Sequence, residues 1–314
     1  MLSFNFTDIS GHILSLTNPI YIVINQDENI PADDLSVTFP FIRNAPELCS
    51  VEVTDGNSVV FKGIVDEQQN ISTEKNAYTK IVVRSMAAML LDNESKPVSY
   101  TNPSTSVIFN RHLYPNLISE YRGEELVLND SFNISKGMTD WQAFSSFCIK
   151  AFGRVPRIDA DGTANFSGVT SDKNIKFSNI DGIKYNSIKE NKKRCKLISE
   201  VYVKTSQSDI YDTVIVNKDV KNRMVERKRY LDASVSDSLT LADTMLRNAA
   251  LSSVEVTVET PIRLLNVLGA GVSIEDNNLG TISGLKVSSI YYSQTPQGEK
   301  TILMLKKENE NVDS

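Results

Sequence analysis

Hydrophobic and polar residues alternate along most of the first 85 positions. Leu35, Val37 and Phe39 fall on one face of a strand, with Ser36 and Thr38 on the other. Val51 and Val53 alternate about Glu52 in the same way. PIYIVIN is rich in β-branched and aromatic residues, and Asn18-Pro19 marks the turn before it. Pro40 places the Leu35 strand at an edge or a bend. Asp55-Gly56-Asn57 is a tight turn into a strand that begins near Val59. Val59, Phe61, Ile64 and Val65 form one β-rich run, and Ile81, Val82 and Val83 form another. The polar stretch QQNISTEKNA between them reads as a long antiparallel hairpin. Residues 1–85 therefore hold roughly six or seven short strands, the mark of a small barrel or sandwich.

The period then changes. Met86, Ala87, Met89, Leu90 and Leu91 recur at helical spacing, and Asp92-Asn93 ends the run. A polar stretch with two prolines, DNESKPVSYTNPS, places a domain boundary there. STSVIFNRHLYPNLI predicts a short helix with a Ser or Thr cap. In MTDWQAFSSFCIKAFG, Thr139 or Asp140 caps a helix that Gly153 stops. Trp141, Phe144, Phe147, Cys148 and Phe152 are spaced by three or four along it, so they form a core-facing aromatic stripe. RVPRIDADGTANFSG predicts a hairpin with Ala160-Asp161-Gly162 at its turn. Residues 170–185 have few large apolar positions and read as a linker.

From about residue 183 the β pattern returns. ISEVYVKT and TVIVNKD read as strands, as do VEVTVE, LGAGVSIED, GTISGLKVSSIYYS and TILMLKK. One helix interrupts them, with Leu239, Leu241, Met245, Leu246 and Leu251 at helical spacing and Asp237 or Ser238 as its cap. The charged tail ENENVDS is expected to fray. The expected fold is mainly β with an α+β middle: two small antiparallel β-barrels flanking a mixed α/β unit. The divisions are 1–92, 93–184 and 185–314, with the inserted helix near 238–252.

Composition narrows the class. The 314 residues are 40% hydrophobic and 23% charged, ordinary values for a folded soluble protein. A formal net charge of −6 argues against a general nucleic-acid coat. No apolar run approaches the ~20 residues a membrane-spanning helix needs. MLSFNFTDISGH lacks the basic start and apolar core of a signal peptide. Cys49, Cys148 and Cys195 are far apart and odd in number, which points to reduced, mostly buried thiols.

The chemistry on offer is thin. His12 and His112 are the two histidines, and neither sits at metal-ligand spacing from another His or a Cys. No G-x-S-x-G frame surrounds a serine. Asp66-Glu67 invites a glycosidase reading, but neighbours on a strand point to opposite faces. Gly269, Gly271, Gly280 and Gly284 lie in hairpin contexts with no helix after them, so they read as turns and bulges rather than a phosphate cradle. Residues 184–229 carry thirteen Lys or Arg against six acids, while the first hundred carry thirteen acids against six Lys or Arg. The basic stretch fits a solvated face or an interface with an acidic neighbour. It shows no aromatic interleaving of the kind that stacks bases, and Tyr291-Tyr292 is the one adjacent tyrosine pair. No catalytic, cofactor-binding or metal-ligating residue is assigned, and no cofactor is expected.

The phrases VFKGIVDE and VVRSMAAMLLDNESKPVSY resemble the baseplate hub proteins of contractile phage tails and phage-tail-like bacteriocins. The type is the late-control-D family, as in phage Mu, with type VI secretion spike proteins as distant relatives. The resemblance implies a structural protein and not an enzyme. It implies a homotrimer that joins the tail tube protein to the central spike protein. Other baseplate proteins are implied partners too, with the tape measure protein a further candidate. It implies no membrane-spanning segment and no specific nucleic-acid binding. Assembly would take place in the bacterial host cytoplasm, and the protein would end in the tail baseplate. The rival readings are a tail-associated peptidoglycan hydrolase and a carbohydrate-binding β module. The first needs an acid pair or metal frame, and the second needs exposed aromatics clustered on strands.

Overall fold

In the computed structural model, residues 1–204, 210–232 and 238–307 are described, without the side chains of 238–240. By their contacts they group into two units. The first comprises Met1–Lys173, Thr260–Ala270 and Ser288–Leu303. The second comprises Asn174–Glu259, Gly271–Val287 and the residues from Met304 on.

Seven strands open the first unit: β1 (Leu2–Asp8), β2 (Ile13–Leu16), β3 (Tyr21–Asp27), β4 (Asp34–Pro40), β5 (Leu48–Asp55), β6 (Ser58–Ser72) and β7 (Ala77–Ser85). They pair antiparallel in the order β3-β4-β7-β6-β5-β1-β2. The alternation read from the sequence becomes burial. Phe4 and Phe6 of β1 and Phe39 of β4 point inward, and Phe39 stands edge-on to Phe4 with ring centres 5.4 Å apart. Gly63 lets β6 pass close to β7, because a Cβ there would sit 2.2 Å from the Arg84 carbonyl oxygen. A bulge follows between Val65 and Glu67.

Helix α1 (Ala87–Asp92) leads into the mixed part of this unit. There β8 (Val98–Thr101) precedes α2 (Thr105–Ile108), which Ser104 caps through the Val107 amide. A π turn over Phe109–Leu113 and a 3-10 turn over Tyr114–Asn116 lead on to β9 (Tyr121–Arg122) and β10 (Ser131–Ile134), and β10 pairs with β8. Helix α3 (Asp140–Phe152) is the predicted aromatic helix. Thr139 caps it in a reciprocal box: its hydroxyl accepts from the Gln142 amide, and the Gln142 side chain accepts from the Thr139 amide. Gly153, in the left-handed region, ends it. Trp141, Phe144, Phe147 and Cys148 are buried in one cluster with Leu90, Ile108, Phe132 and Phe166. The predicted hairpin forms as β11 (Arg157–Ile158) and β12 (Ala164–Asn165), and β12 also pairs parallel with β9.

The second unit contains β13 (Asn174–Ser178) and β14 (Ser187–Lys192). After them come β15 (Glu200–Lys204), β16 (Thr213–Val216), α4 (Lys218–Asn222), β17 (Lys228–Asp232), α5 (Ser238–Leu251), β18 (Val254–Thr260) and β19 (Gly271–Asp276). Strand β14 pairs antiparallel with β18, and β13 pairs parallel with β19. A separate three-stranded sheet has the order β16-β15-β17, with β15 and β17 parallel. Val201 and Val203 of β15 face α5 and pack on Ala242, Leu246 and Ala249. The cap expected at Asp237 or Ser238 and the tail ENENVDS lie outside the described residues.

Strand β20 (Gly280–Thr295) pairs antiparallel with β19 and continues into β21 (Gly298–Lys307). Against β19 it carries an extra residue, and Gly284 takes the left-handed backbone there at φ +67°. Residues 289–294 of β20 belong to the first unit and pair antiparallel with β3.

The molecule is mainly β with a mixed middle, as expected. Two local expectations need correcting. The stretch 170–185 is not all linker: Asn174–Ser178 is a strand with Ile175 and Phe177 buried. Two apolar residues in five are too few to announce it by pattern. The thiols are free, but only Cys148 is buried, whereas Cys49 and Cys195 are exposed. Burial pushes the Cys148 thiol well above its ordinary pKa. Phe144 is fully buried among aromatic rings, 4.8 Å from Phe166 and 5.9 Å from Trp141 by ring centres. Phe144→Ala is expected to cost about 3–5 kcal/mol in urea unfolding. A cost below about 1 kcal/mol would place this ring outside the core.

Candidate functional site

The residues considered for chemistry from sequence are not brought together. Asp66 lies at the bulge of β6 and is gripped by Arg84, whose guanidinium also holds Asp92. Glu67 instead accepts from the Gln69 side chain at 2.9 Å. His12 is exposed beside Asp8. Tyr291 and Tyr292 point to opposite faces of β20, and Tyr292 is buried. Burial pushes the Tyr292 hydroxyl up to about 12, against the pull of Arg263.

His112 is at the centre of a buried polar cluster. The Ser95 hydroxyl lies 2.8 Å from Nδ1 of His112, and Asp140 Oδ1 lies 3.3 Å from the same nitrogen. The Tyr100 hydroxyl is 2.9 Å from Nε2. Asn116 donates from Nδ2 to Asp140 Oδ2 at 2.8 Å and to the His112 carbonyl at 2.7 Å. The residue types are those of a serine hydrolase, but the arrangement is not. A nucleophile and an orienting acid must occupy opposite nitrogens of the imidazole. Here Ser95 and Asp140 crowd one nitrogen, and Ser95 is 1% exposed. The cluster joins β8, the turn after α2 and the first turn of α3.

A polar cleft of about 270 Å³ lies in the first unit. Gln26, Arg122, Arg157, Asp159, Asp161, Lys173 and Asn266 line it. Its cations are engaged. Arg157 bonds to Asp33 at 2.5 Å and to the Asp27 carbonyl at 2.9 Å. Arg122 bridges Asp159 at 3.0 Å and Asp161 at 2.6 Å, and Lys173 donates to the Asn266 carbonyl. Burial raises the pKa of Asp33 and of Asp159, in each case opposed by neighbouring guanidinium groups. The side-chain oxygens of Gln26 and Asn266 are buried with no partner in the protein. Two such acceptors suit ordered water. Among the described residues, no group of three His, Cys, Asp or Glu is placed to hold a metal ion.

The feature that sequence reasoning missed is the open face of the β16-β15-β17 sheet. Its backbone register puts Val214, Tyr202 and Tyr230 in one row across the three strands, and Val216, Glu200 and Lys228 in the next. The Tyr202 and Tyr230 rings stack 5.2 Å apart, and Tyr211 meets Tyr230 edge-on at 5.0 Å. Lys228 lies over the Tyr202 ring at 5.6 Å. Exposed Tyr230 and half-buried Tyr202 therefore sit side by side on neighbouring strands, with half-buried Tyr211 from the segment before β16 against them. The signal in sequence was the alternation in EVYVK, TVIV and KRYLD, but only the register brings the tyrosines together.

Comparison with known proteins gives a consistent answer at the level of fold. No family model matches the chain, and no curated protein matches it by sequence. The tail protein from Neisseria meningitidis MC58 matches in structure with a TM-score of 0.73 at 18% identity, covering 98% of this chain and 96% of that one. The 43 kDa tail protein of prophage MuSo2 from Shewanella oneidensis matches with a TM-score of 0.78 at 14% identity, covering 97% of each chain. The chain has a phage-tail-protein fold. The E. coli c3393 protein matches at a TM-score of 0.56 and 10% identity, covering 93% of this chain and 74% of that one. It is a component of the type VI secretion system with structural similarity to the T4 phage tail proteins gp27 and gp5. The resemblance drawn from VFKGIVDE and VVRSMAAMLLDNESKPVSY pointed to this fold.

The buried polar groups of the first unit also bear on stability. Burial would raise the Asp140 carboxyl, but its hydrogen bonding with His112, Ser95 and Asn116 outweighs that and holds it below the ordinary range. A depressed carboxylate stabilises the fold fully above its unfolded pKa, and the contribution is lost as pH falls through its folded value. Asp140→Asn is therefore expected to lower stability by about 1–3 kcal/mol at pH 7. The gap to the parent protein should close as pH drops below about 3.9, measured by urea unfolding across pH. Arg157→Met leaves the Asp33 carboxylate buried and unpaired, and is expected to cost about 3–5 kcal/mol. Replacing Asp33 with Leu in the same variant should recover much of that loss in the same measurement.

Proposed function

We propose that the chain is a non-enzymatic subunit of the baseplate of a contractile phage tail or phage-tail-like particle. In this reading it is a hub that assembles as a homotrimer and joins the tail tube to the central spike. The observation that carries the reading is the end-to-end match to two phage tail proteins, over at least 96% of every chain involved. The likeness to a type VI secretion component related to gp27 and gp5 supports it further. The division at 1–92, 93–184 and 185–314 belongs to the same reading, with a barrel-like part at each end of the chain. Two barrels in each of three copies give six near-equivalent positions. Such a ring suits a six-fold tube on one side and a three-fold spike on the other. The other expected partners are further baseplate proteins, with the tape measure protein a candidate, and assembly precedes release from the host cytoplasm.

The reading is tested by the mass of the purified chain in low salt, measured by sedimentation, and again with the spike protein added. A trimer is expected, weakening as ionic strength rises, because opposite charges between copies are screened. A strict monomer in both conditions, or a stable dimer, would overturn it.

A further inference from the structure

We propose that edge strand β16 of one copy takes edge strand β2 of the next copy, so that two sheets join through backbone hydrogen bonds. The inference rests on the trimeric reading above and names the contact that would build it.

The backbone offers the contact. Among the described residues, β2 pairs only with β1, and β16 pairs only with β15. On the far side of each strand, alternate amides and carbonyls therefore face no strand of their own chain. Charged side chains are the usual guard of such an edge. Edge strands β14 and β17 have that guard, each with two or more charged residues. Strands β2 (ILSL) and β16 (TVIV) carry no charge, and three of the four residues in each are apolar. The chain around β2 is equally bare, with no Asp, Glu, Lys or Arg between Asp8 and Asp27.

Both strands also hold apolar side chains that their own unit leaves partly uncovered. In β2, Leu14 and Leu16 stand opposite Phe6 and Phe4 on the core side of the sheet, yet both are only half-buried. Ile13, on the other side, is 70% exposed. In β16, Val214 and Val216 are exposed, and Ile215 is half-buried against the core beneath α5. A cleft of about 350 Å³ is walled by β16 and α5, with Ile215 and the buried Leu246 in its lining. The charged groups that α5 brings to this cleft, Asp243 and Arg247, are paired with each other at 2.7 Å. A strand added along β16 directs alternate side chains to the α5 side and to the side of Val214 and Val216. The alternation of β2 suits both, with leucines for one side and Ile13 for the other.

Symmetry selects the occupant. Pairing β2 with β2, or β16 with β16, joins like surfaces about a two-fold axis and gives a dimer. A closed trimer needs two unlike surfaces on every copy. The two bare edges are such a pair, one in each unit of the chain and equal in length. Each is already a strand before it docks, so little ordering entropy is lost on pairing.

The test uses the full chain in low salt. Hydrogen–deuterium exchange of the trimer is followed by mass spectrometry over peptides that cover residues 13–16 and 213–216, then repeated on protein diluted to monomer. Amides in both segments are expected to exchange at least about tenfold more slowly in the trimer. Alongside, Ile13→Lys and Val216→Lys each place a charge at an exposed position of one edge. Each is expected to weaken the trimer by at least about tenfold in sedimentation, with an unchanged circular dichroism spectrum. A trimer in which either segment exchanges as fast as in the monomer, or whose strength either substitution leaves unchanged, overturns this inference and leaves the trimeric reading standing. A parent protein that stays monomeric overturns the trimeric reading and this contact with it. If a variant does not fold, the exchange of the parent protein decides alone.

Discussion

Asp33 is the residue on which the first unit is tied. Its carboxylate takes the Arg157 guanidinium at 2.5 Å, across 124 positions of sequence. Its backbone takes Ser85 twice, donating to the hydroxyl at 3.1 Å and accepting from the amide at 2.8 Å. One short loop between β3 and β4 thereby fixes the end of β7 and the hairpin that begins at β11. Arg157 adds a second bond, to the Asp27 carbonyl at 2.9 Å. Removing two ions from water is costly, and in a low dielectric their attraction offsets that cost only when the geometry is good. A pair so placed contributes less to net stability than to uniqueness. A slip of the hairpin against β3 would part the two charges and leave each buried without its partner.

How much of this was legible depended on whether the signal was local. Helix α3 was readable to its ends, because both caps lie within the segment: Thr139 with Gln142 at one end and Gly153 at the other. Strands β1 to β7 were readable because each buries one face, so alternation along the chain maps onto inside and outside. Asn174–Ser178 was not, since its partner β19 lies about a hundred residues away and supplies the context its two apolar residues lack. The tyrosine row was illegible for the same reason. Tyr202, Tyr211 and Tyr230 share no local motif: register sets Tyr202 beside Tyr230, and the segment before β16 brings Tyr211 against them.

The polar clusters show why residue types are a poor guide to chemistry without geometry. Ser95, His112 and Asp140 are the ingredients of a nucleophilic centre, yet the imidazole is used as a three-way cross-link between packed elements. Each of its nitrogens has a partner, and burial makes those bonds expensive to leave unmade. The same holds for Asp66 and Glu67, adjacent acids that a bulge and two different partners keep apart. Polar groups in this core specify packing.

The sheet edges carry the last constraint. An uncovered edge is a template for pairing, and charged side chains are the usual guard. Strand β14 has that guard, with Lys189, Glu190 and Lys192 in six residues. Strand β2, at the other end of the strand order, has none: its sequence is ILSL, and Ile13 is largely exposed. An edge without charge is tolerable on a free subunit only if it is short, and β2 is four residues long. In an assembly the same strand is a place where a neighbour can add backbone hydrogen bonds. Such pairing closes when two copies meet about a two-fold axis, and propagates when unlike edges meet without a closing rotation. The four-residue length limits how many such bonds the edge can offer, which is the guard that charge provides on β14.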